Sequence, residues 1–358
     1  MPRLKLAFVS GLSDKKLSQK LIPLQYMNEV DTIYLFRRRP YYGHKIYWVK
    51  MPYIFSKYAI LGDICRFYSL LKYSPRFDII IGCNQNYHGM IAFICGNIYN
   101  IPVIQIVVTE VEEIYKRWFL KKALLSASAC LVRGPVSYDR LKSFGYNGHV
   151  EVLHNCCTIT KNEKNSDFHS KEYDLLAVGN YDYWKDYSWM MDVIREVTER
   201  YPSLKVAIVG QGPFERKLKK KLYNNNLRKN INFLGWKEKD ELDAIYQSSR
   251  ALILTSKAEG LPMVVIEAMS HALPVFVTSV GDLPWLIKDR VEGRIVPHGE
   301  TNEMSSAIIE EFMNDQSLEK MGLNGNKKFI SLIPEFDSIK VSMVWKKILN
   351  SVVQKGCI

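Results

Sequence analysis

The sequence contains no run of 18 consecutive apolar residues, although 47% of its 358 residues are hydrophobic. Because a helix needs about 20 such residues to cross a bilayer, we expect no transmembrane segment. The opening residues MPRLKLAFVSGLS have too short an apolar core for a secretory signal, and they are typical of a first β-strand. We therefore expect a globular protein of the cytoplasm.

The sequence also lacks the spacings that bind metals. The number of cysteines is odd, and none stands in the paired spacing of a zinc site. They are residues 65, 83, 95, 130, 156, 157 and 357. No D-x-D pair stands in the usual place for a divalent cation, and Asp182 has no acidic partner there. We expect free thiols in a reducing compartment and no bound metal.

The positive charge is confined to the first half of the chain. Residues 1–165 contain 23 Lys and Arg but only 11 Asp and Glu, whereas the remaining residues contain 26 of each sign. No nucleic-acid-binding signature is present, so nucleic acid is not an expected partner. Arg37-Arg38-Arg39 beside Tyr41-Tyr42 suits an anionic membrane face or an acceptor carrying pyrophosphate. The alternative is a basic face that water alone solvates.

Length and pattern predict two α/β domains. Buried strands such as residues 77–84 and 173–180 alternate with amphipathic helices, as in doubly wound parallel sheets. Residues 160–171 are polar and charged without an apolar period, which indicates a linker. We place the domains at 1–160 and 172–336, followed by an amphipathic helix within 337–358.

Two carboxylates are placed where such sheets bind ligands. Glu259 and Glu267 are separated by seven residues, after the apolar strand ALILTS and at the start of the helix VVIEAMSHA. Ligands of open α/β sheets lie at the carboxyl ends of strands. Gly260 permits close backbone approach, and the first turn of the helix offers amide groups to an anion such as phosphate.

In the setting EGLPMVVIEAMSHALPV, this pair resembles the signature of the retaining glycosyltransferases of family GT4, which have the GT-B fold. YDLLAVGN, SLKVAIVGQGP and NINFLGW resemble further elements of that family in matching order. The resemblance implies two Rossmann-like doubly wound domains facing across a cleft, with the last helix crossing back to the first domain. The competing interpretation is an ordinary strand–loop–helix unit with two solvated glutamates.

The resemblance implies roles for residues of the second domain. Glu259 would hold the hydroxyls of the donor sugar, Glu267 the ribose of the nucleotide, and Lys185 the diphosphate. The loop Gly260, Leu261, Pro262 and Met263 would cradle the same diphosphate. The family's arginine is replaced by Asn180, and the glycine after its lysine is replaced by Asp186. Lys185 as a simple surface lysine is the alternative.

Other positions carry weaker expectations. Gly210 and Gly212 form a tight turn, Gly235 and Trp236 would lie against the nucleobase, and Gly11 would approach a diphosphate. An ordinary turn at Gly11 and a tryptophan packed on the sheet edge are the alternatives. Glu110 stands where the family often has a histidine, so it would contact the acceptor or act as a base, unless it is merely solvated.

The reaction implied by the resemblance is transfer of a sugar from a UDP- or GDP-sugar to a hydroxyl with retention at the anomeric carbon. The acceptor would be a glycan or a lipid-linked oligosaccharide in cell-surface polysaccharide assembly, at the inner face of the membrane. No metal and no cofactor beyond the nucleotide-sugar substrate are expected. The missing arginine and histidine leave a non-catalytic scaffold of the same fold as an alternative, and a sugar-nucleotide epimerase is another. Two carboxylates would also serve a glycosidase, but the phosphate-binding surroundings disfavour it.

Overall fold

The chain forms two compact units in the computed structural model, which describes residues 3–52, 59–84, 87–108, 111, 114, 116–156 and 171–356. The first unit comprises residues Met1–Thr158 and Pro334–Ile358, and the second comprises Ile159–Ile333. Most of the predicted linker, residues 160–170, lies outside the described residues.

The first unit is built on a parallel sheet in the order β3-β2-β1-β4-β5-β6-β7. The central strands are mostly apolar and buried, as expected for a sheet covered by helices on both faces. The strands are β1 (Leu4–Val9), β2 (Val30–Phe36), β3 (Ile46–Trp48), β4 (Ile79–Cys83), β5 (Val103–Ile106), β6 (Ala129–Val132) and β7 (His149–Val152).

Helices connect these strands and cover the sheet. They are α1 (Asp14–Gln25), α2 (Ala59–Tyr73), α3 (Tyr87–Tyr99), α4 (Trp118–Leu125) and α5 (Pro135–Ser143). Pro23 lies inside α1, where its missing N–H frees the carbonyl of Gln19 four residues earlier. That carbonyl accepts a hydrogen bond from the amide of Cys156 at 3.2 Å, so the proline ties α1 to the segment after β7.

The second unit repeats this plan with a parallel sheet in the order β10-β9-β8-β11-β12-β13. Its strands are β8 (Tyr173–Val178), β9 (Val206–Val209), β10 (Ile231–Gly235), β11 (Ser249–Leu254), β12 (Val275–Thr278) and β13 (Gly293–Val296). Its helices are α6 (Tyr187–Arg200), α7 (Glu215–Asn224), α8 (Lys239–Gln247), α9 (Met263–Ser270), α10 (Leu283–Leu286), α11 (Thr301–Phe312) and α12 (Asp315–Leu332). The predicted α/β class, with two doubly wound parallel sheets, is confirmed.

The last helix, α13 (Ser338–Gly356), belongs to the first unit although it follows the second in sequence. It packs against α1 and β7. Its apolar face buries Val341, Trp345, Ile348 and Leu349 in the same core as Leu21 of α1. None of the helices in the described part of the chain is long and apolar enough to cross a membrane.

Candidate active site

The loop between β11 and α9 brings backbone amides and a carboxylate to the carboxyl edge of the second sheet. β11 is buried between β8 and β12, so its end lies at the middle of that edge. Pro262 is the N-cap residue of α9, with φ −73° and ψ 118°. The amide of Val265 donates to the carbonyl of Pro262 at 3.1 Å. The first amides of a helix generally lack an acceptor within it and carry its positive dipole end. This loop is therefore suited to an anion.

Lys185 and Glu259, which are 74 residues apart in sequence, form an ion pair beside this loop. Lys185 Nζ donates to Glu259 Oε1 at 2.5 Å. Both side chains are largely buried, at 18% and 14% exposure. Ser256 Oγ donates to the same carboxylate oxygen at 2.6 Å. The pair places a fixed cation next to a carboxylate that retains a second oxygen for a ligand hydroxyl.

The lysine is held by the turn that follows β8. Asp182 Oδ1 accepts hydrogen bonds from the amides of Trp184 and Lys185 at 3.0 and 3.1 Å. The carbonyl of Trp184 in turn accepts from the amide of Lys257 at 2.7 Å, and Thr255 Oγ1 donates to the carbonyl of Lys185. The loops after β8 and β11 are thus joined by backbone and side-chain bonds, which fixes the position of Lys185 relative to Glu259.

Asp186, which stands where the family has glycine, adopts the backbone conformation that glycine would favour. Its φ is 39° and its ψ is 51°, in the left-handed region that aspartate tolerates better than most residues. Its carboxylate caps α6 by accepting from the amide of Trp189 at 3.3 Å. It also contacts Lys257 Nζ at 3.0 Å and His298 Nε2 at 3.1 Å. Aspartate at this position therefore keeps the backbone conformation of the turn, and its carboxylate adds contacts to Lys257 and His298.

Glu267 is held separately from Glu259, by an aromatic side chain of α8. Tyr246 OH donates to Glu267 Oε2 at 3.1 Å, and the tyrosine ring stacks on His271 with centroids 4.9 Å apart. His271 Nε2 lies 3.5 Å from Asp243 Oδ1. Burial, together with the charge of Glu267, raises the pKa of Tyr246 well above its ordinary value, so the phenol remains a donor.

The predicted glycines lie at the ends of neighbouring strands, where loops pass very close to one another. Gly210 has φ 145°, and a Cβ there would be 1.9 Å from the carbonyl oxygen of Gly179. A Cβ at Gly212 would meet the backbone of Tyr181 at 2.5 Å. Gly235 has φ 70° and open space around it. Close packing between loops therefore explains why glycine is needed at positions 210 and 212. At position 235 the positive φ explains it.

The remaining predicted residues are scattered. Asn180 and Trp236 are exposed near the same sheet edge, Trp236 at 57%. Gly11 belongs to the first unit, where a Cβ would lie 2.6 Å from His88 Cε1, so it permits packing of that ring. Glu110 lies outside the described residues. The structure therefore brings Lys185, Glu259 and the start of α9 together, with Glu267 farther along that helix.

Several residues of this site carry no signal in the sequence. No sequence motif marks these residues, and most of them are far in the chain from the groups they contact. They are Ser256, Lys257, Tyr246 and His298. Only Ser256, three residues before Glu259, could have been suspected from its spacing. Among the residues that the structure describes, no three side chains of His, Cys, Asp or Glu lie together as a metal site would require.

The part of the chain that contains this site is similar to known proteins. Residues 158–328 match the sequence model of the family glycosyl transferases group 1. The amylovoran biosynthesis glycosyltransferase AmsD of Erwinia amylovora is 29% identical over 181 residues, which cover 50% of this chain and 49% of that protein. The UDP-Gal:alpha-D-GlcNAc-diphosphoundecaprenol alpha-1,3-galactosyltransferase of Escherichia coli is 27% identical over 143 residues, 39% of this chain and 36% of that enzyme.

A solved structure extends the likeness to both units. HepE of Anabaena in complex with UDP-glucose superposes with a TM-score of 0.74 at 16% identity, covering 98% of this chain and all of that one. At that identity the likeness shows the fold alone. The chain spans about half the length, or less, of the curated relatives named above. The chain is therefore similar to the glycosyl transferases group 1 family over residues 158–328, and it has the GT-B fold.

Proposed function

We propose that this protein is a retaining glycosyltransferase that moves a sugar from a UDP- or GDP-sugar to a hydroxyl of a glycan or lipid-linked oligosaccharide in polysaccharide assembly. The observation that carries the proposal is the Lys185–Glu259 pair at the start of α9, inside the region that matches the family. The names of the relatives support it: AmsD acts in amylovoran biosynthesis, and the E. coli relative is named for a UDP-sugar and a diphosphoundecaprenol-linked acceptor.

In this proposal the loop and helix of the second unit bind the donor. Lys185 and the amides near Met263 stabilise the negative charge that develops on the leaving diphosphate. The carboxylate of Glu259, held by Ser256, accepts hydrogen bonds from the hydroxyls of the sugar. Glu267, held by Tyr246, does the same for the ribose. Gly235 and Trp236 line the side on which the nucleobase lies, and exposed Asn180 replaces an arginine contact to phosphate.

The Lys185–Glu259 pair has a physical consequence for binding. A largely buried lysine without its carboxylate would leave an uncompensated charge, so Glu259 keeps the ammonium group in place before the donor arrives. When a diphosphate binds, Lys185 gains a second anionic partner, while the other carboxylate oxygen of Glu259 remains available for the sugar. The two residues then act on adjacent parts of one ligand.

The proposal is tested by incubating the protein with UDP- and GDP-sugars and measuring release of free nucleotide, with and without candidate acceptors. We expect release from at least one donor, unaffected by EDTA because no metal takes part. Lys185→Ala and Glu259→Gln should each lower the rate about 100-fold, the usual effect of removing one charge-stabilising contact. The exposed Lys219→Ala serves as the control and should keep the wild-type rate.

The product distinguishes this function from its alternatives. A transferase joins the sugar to the acceptor, and proton NMR shows the anomeric configuration of the donor kept in the product. An epimerase converts one nucleotide-sugar into another without an acceptor. A non-catalytic scaffold leaves every donor intact, and release of nucleotide indistinguishable between the wild type and Glu259→Gln would remove the proposal.

A membrane surface is the partner we propose for the first unit. Three helices of this unit present apolar side chains to solvent. These helices are neighbours, since α2 packs against α3 and α3 packs against α4. The exposed side chains are Leu61, Ile64 and Tyr68 of α2, Tyr87, Ile94 and Ile98 of α3, and Trp118 and Phe119 of α4. Exposed Lys121 and Lys122 adjoin them. Apolar side chains flanked by lysines suit the interface of an anionic bilayer.

Flotation with liposomes that contain anionic lipid tests this surface. We expect binding at low salt, weaker binding at high salt because the lysine contribution is screened, and loss of most binding in Trp118→Ser. Met313→Ser is the control, since Met313 is an exposed apolar residue of the second unit. Equal flotation of both variants would exclude the α2–α3–α4 surface as the contact.

A further inference from the structure

A second concentration of charge lies in the first unit. Arg37 and Arg38 directly follow β2, Arg66 lies in the middle of α2, and His88 is the second residue of α3. We call these four residues the arginine cluster. Arg66 is 1% exposed and Arg37 is 4% exposed, whereas Arg38 is open to solvent. The cluster therefore extends from the protein interior to the surface.

Among the described residues, the carboxylates in contact with the cluster are fewer than its arginines. Arg37 Nη1 lies 2.7 Å from Asp14 Oδ1, and Arg66 Nη1 lies 2.7 Å from Asp63 Oδ1. Each of these arginines thus has one carboxylate, and among the described residues none pairs with Arg38. The Nε of Arg66 is buried and has no hydrogen-bond partner in the described part of the chain. A buried donor without an acceptor is costly, and an incoming anion would relieve that cost.

His88 is adapted to the same surroundings. Its ring packs on Gly11 in the turn after β1, and its Nδ1 is buried without a partner among the described residues. Burial, followed by the charges of Arg66 and Arg38, lowers the pKa of His88 to about 3. The imidazole is therefore neutral at physiological pH, and one of its nitrogens can donate a hydrogen bond to an anion.

These observations favour a phosphoryl group over a carboxylate as the ligand. Arginine binds phosphate oxygens through paired N–H groups, and a phosphate ester offers more acceptor oxygens and more charge than a carboxylate. Arg38, Arg66 Nε and neutral His88 supply donors from three separate elements. The donor's own diphosphate is already assigned to Lys185, and the acceptor is the other substrate that can carry a phosphate.

We propose that the arginine cluster, with Arg38 as its accessible member, binds a phosphate or diphosphate group of the acceptor. The part that concerns the acceptor rests on the proposed glycosyltransferase function; the anion site itself does not. The substrate class that follows is a glycan attached through phosphate or diphosphate to its carrier. An acceptor without phosphate would leave the cluster unused.

The site is tested by titrating the full-length protein with inorganic pyrophosphate at low salt in a calorimeter. We expect saturable binding that Arg38→Gln weakens at least tenfold. Arg39→Gln is a matched control, because Arg39 is the next residue, carries the same charge and is also exposed. If both variants lose pyrophosphate affinity equally, net charge alone explains the binding and the proposal is overturned. Absence of pyrophosphate binding to the wild type would also overturn it. Thermal unfolding of each variant verifies that it is folded.

Two further titrations separate this site from the donor site. If Lys185→Ala abolishes pyrophosphate binding and Arg38→Gln does not, the anion lies in the second unit and the proposal fails. If Arg38→Gln loses pyrophosphate binding but binds a UDP-sugar as the wild type does, the proposal stands. If pyrophosphate binds through Arg38 and no nucleotide-sugar binds at all, the anion site stands while the proposed glycosyltransferase function fails.

The proposed role of Arg38 in binding the acceptor is measured separately, by steady-state kinetics. With a phosphate-linked acceptor, Arg38→Gln should raise the KM for that acceptor about tenfold and leave the KM for the donor unchanged. With a simple glycoside acceptor that lacks phosphate, the variant and the wild type should have equal rates. A KM that rises equally for both acceptors would contradict phosphate recognition.

Discussion

Glu267 depends on a tyrosine from another helix for its position. Tyr246 is fully buried, and its hydroxyl donates to Glu267 Oε2 while the ring stacks on His271. We class Tyr246 as a positioning residue, because it contacts the carboxylate and not the proposed ligand. Removing its hydroxyl leaves Glu267 with one fewer restraint but adds no cavity.

We predict that Tyr246→Phe raises the KM for the nucleotide-sugar about fivefold, since a hydrogen bond contributes about 1 kcal/mol, with kcat nearly unchanged. Steady-state kinetics with varied donor measures this split. Tyr223→Phe, an exposed tyrosine of the same unit, is the control. A fall in kcat with constant KM would contradict a purely positioning role.

Lys20 is an unusual buried lysine in the first unit. It is 3% exposed, and its Nζ donates to Asn155 Oδ1 at 3.2 Å. Burial, with the charge of Arg133, lowers its pKa from 10.5 to about 7. Between about pH 7 and 10.5 the unfolded chain therefore holds a proton that the folded protein releases. The free energy of unfolding contributed by Lys20 rises with pH across that window and falls as the pH drops towards 7.

The predicted result is that Lys20→Met flattens the pH dependence of urea unfolding between pH 7 and 8.5, where the wild type becomes more stable. The variant should also be at least as stable as the wild type at pH 7, because no charge has to lose its water. Lys15→Met on the exposed side of α1 should keep the wild-type slope. Identical slopes for all three proteins would show that Lys20 is not buried as described.

At the scale of elements, the loop before α9 is held against the turn before α10. Gly281 has φ 57°, and a Cβ there would be 2.3 Å from the carbonyl oxygen of Glu259 and 2.6 Å from that of Gly260. The amide of Asp282 donates to the carbonyl of Gly260 at 3.0 Å. The position of Glu259 is therefore set by a neighbouring turn as well as by its own loop.

Gly281→Ala should displace the backbone of residues 259–260 and lower the affinity for the nucleotide-sugar at least tenfold. Gly299→Ala is the matched control: its φ of 99° also strains an alanine, but no atom lies within 4 Å of the added Cβ. Both variants lose stability, whereas only the first should lose donor binding, measured by calorimetry. Equal affinities would mean that this turn does not position the loop.

The closing helix α13 contributes a large part of the core of the first unit. Trp345 is fully buried between this helix and α1, whereas Met343, two residues earlier, is 60% exposed. We predict that Trp345→Ala lowers the free energy of unfolding by about 3–5 kcal/mol, as large core truncations do. Met343→Ala should change it by no more than about 0.5 kcal/mol. Urea unfolding followed by far-UV circular dichroism distinguishes the two.

The elements themselves were largely predictable. ALILTS and YDLLAVGN are apolar runs bounded by glycine or polar residues, and they overlap β11 and β8 to within two residues at each end. Helix α1 is different, because it runs from Asp14 to Gln25 and continues through Pro23. Proline normally ends a helix, and here the carbonyl it frees is used by Cys156. A hydrogen bond from a distant segment leaves no pattern in the local sequence, so the sequence of the helix could not predict it.

The site was predictable only in part, for the same reason. The spacing of Glu259 and Glu267 and the glycine-proline loop between them indicate a phosphate-binding turn. The ion pair to Lys185, the hydroxyl of Tyr246 and the network under Asp186 join residues 21 to 112 positions apart. The packing of whole sheets brings these residues together. A pattern within a short stretch of sequence therefore cannot predict the contacts between them.

For the molecule as a whole, charge and chemistry are divided between the two units. The residues proposed for the donor, from Asn180 to Glu267, all belong to the second unit, whose Lys, Arg, Asp and Glu are nearly balanced. The first unit holds the excess of positive charge, the exposed apolar helices and the arginine cluster. This division suits a protein that takes a soluble nucleotide-sugar on one unit and an anionic, membrane-bound acceptor on the other.

Titration calorimetry with a panel of UDP- and GDP-sugars tests the central claim most directly, because it reports on the donor site whatever the acceptor is. We predict that at least one nucleotide-sugar binds the wild type, and that Lys185→Ala weakens it at least tenfold, as loss of a charge-assisted contact of about 1.5–3 kcal/mol requires. Lys219→Ala should bind as the wild type does. Failure of every nucleotide-sugar to bind, or equal binding by Lys185→Ala, would contradict the assignment of this site.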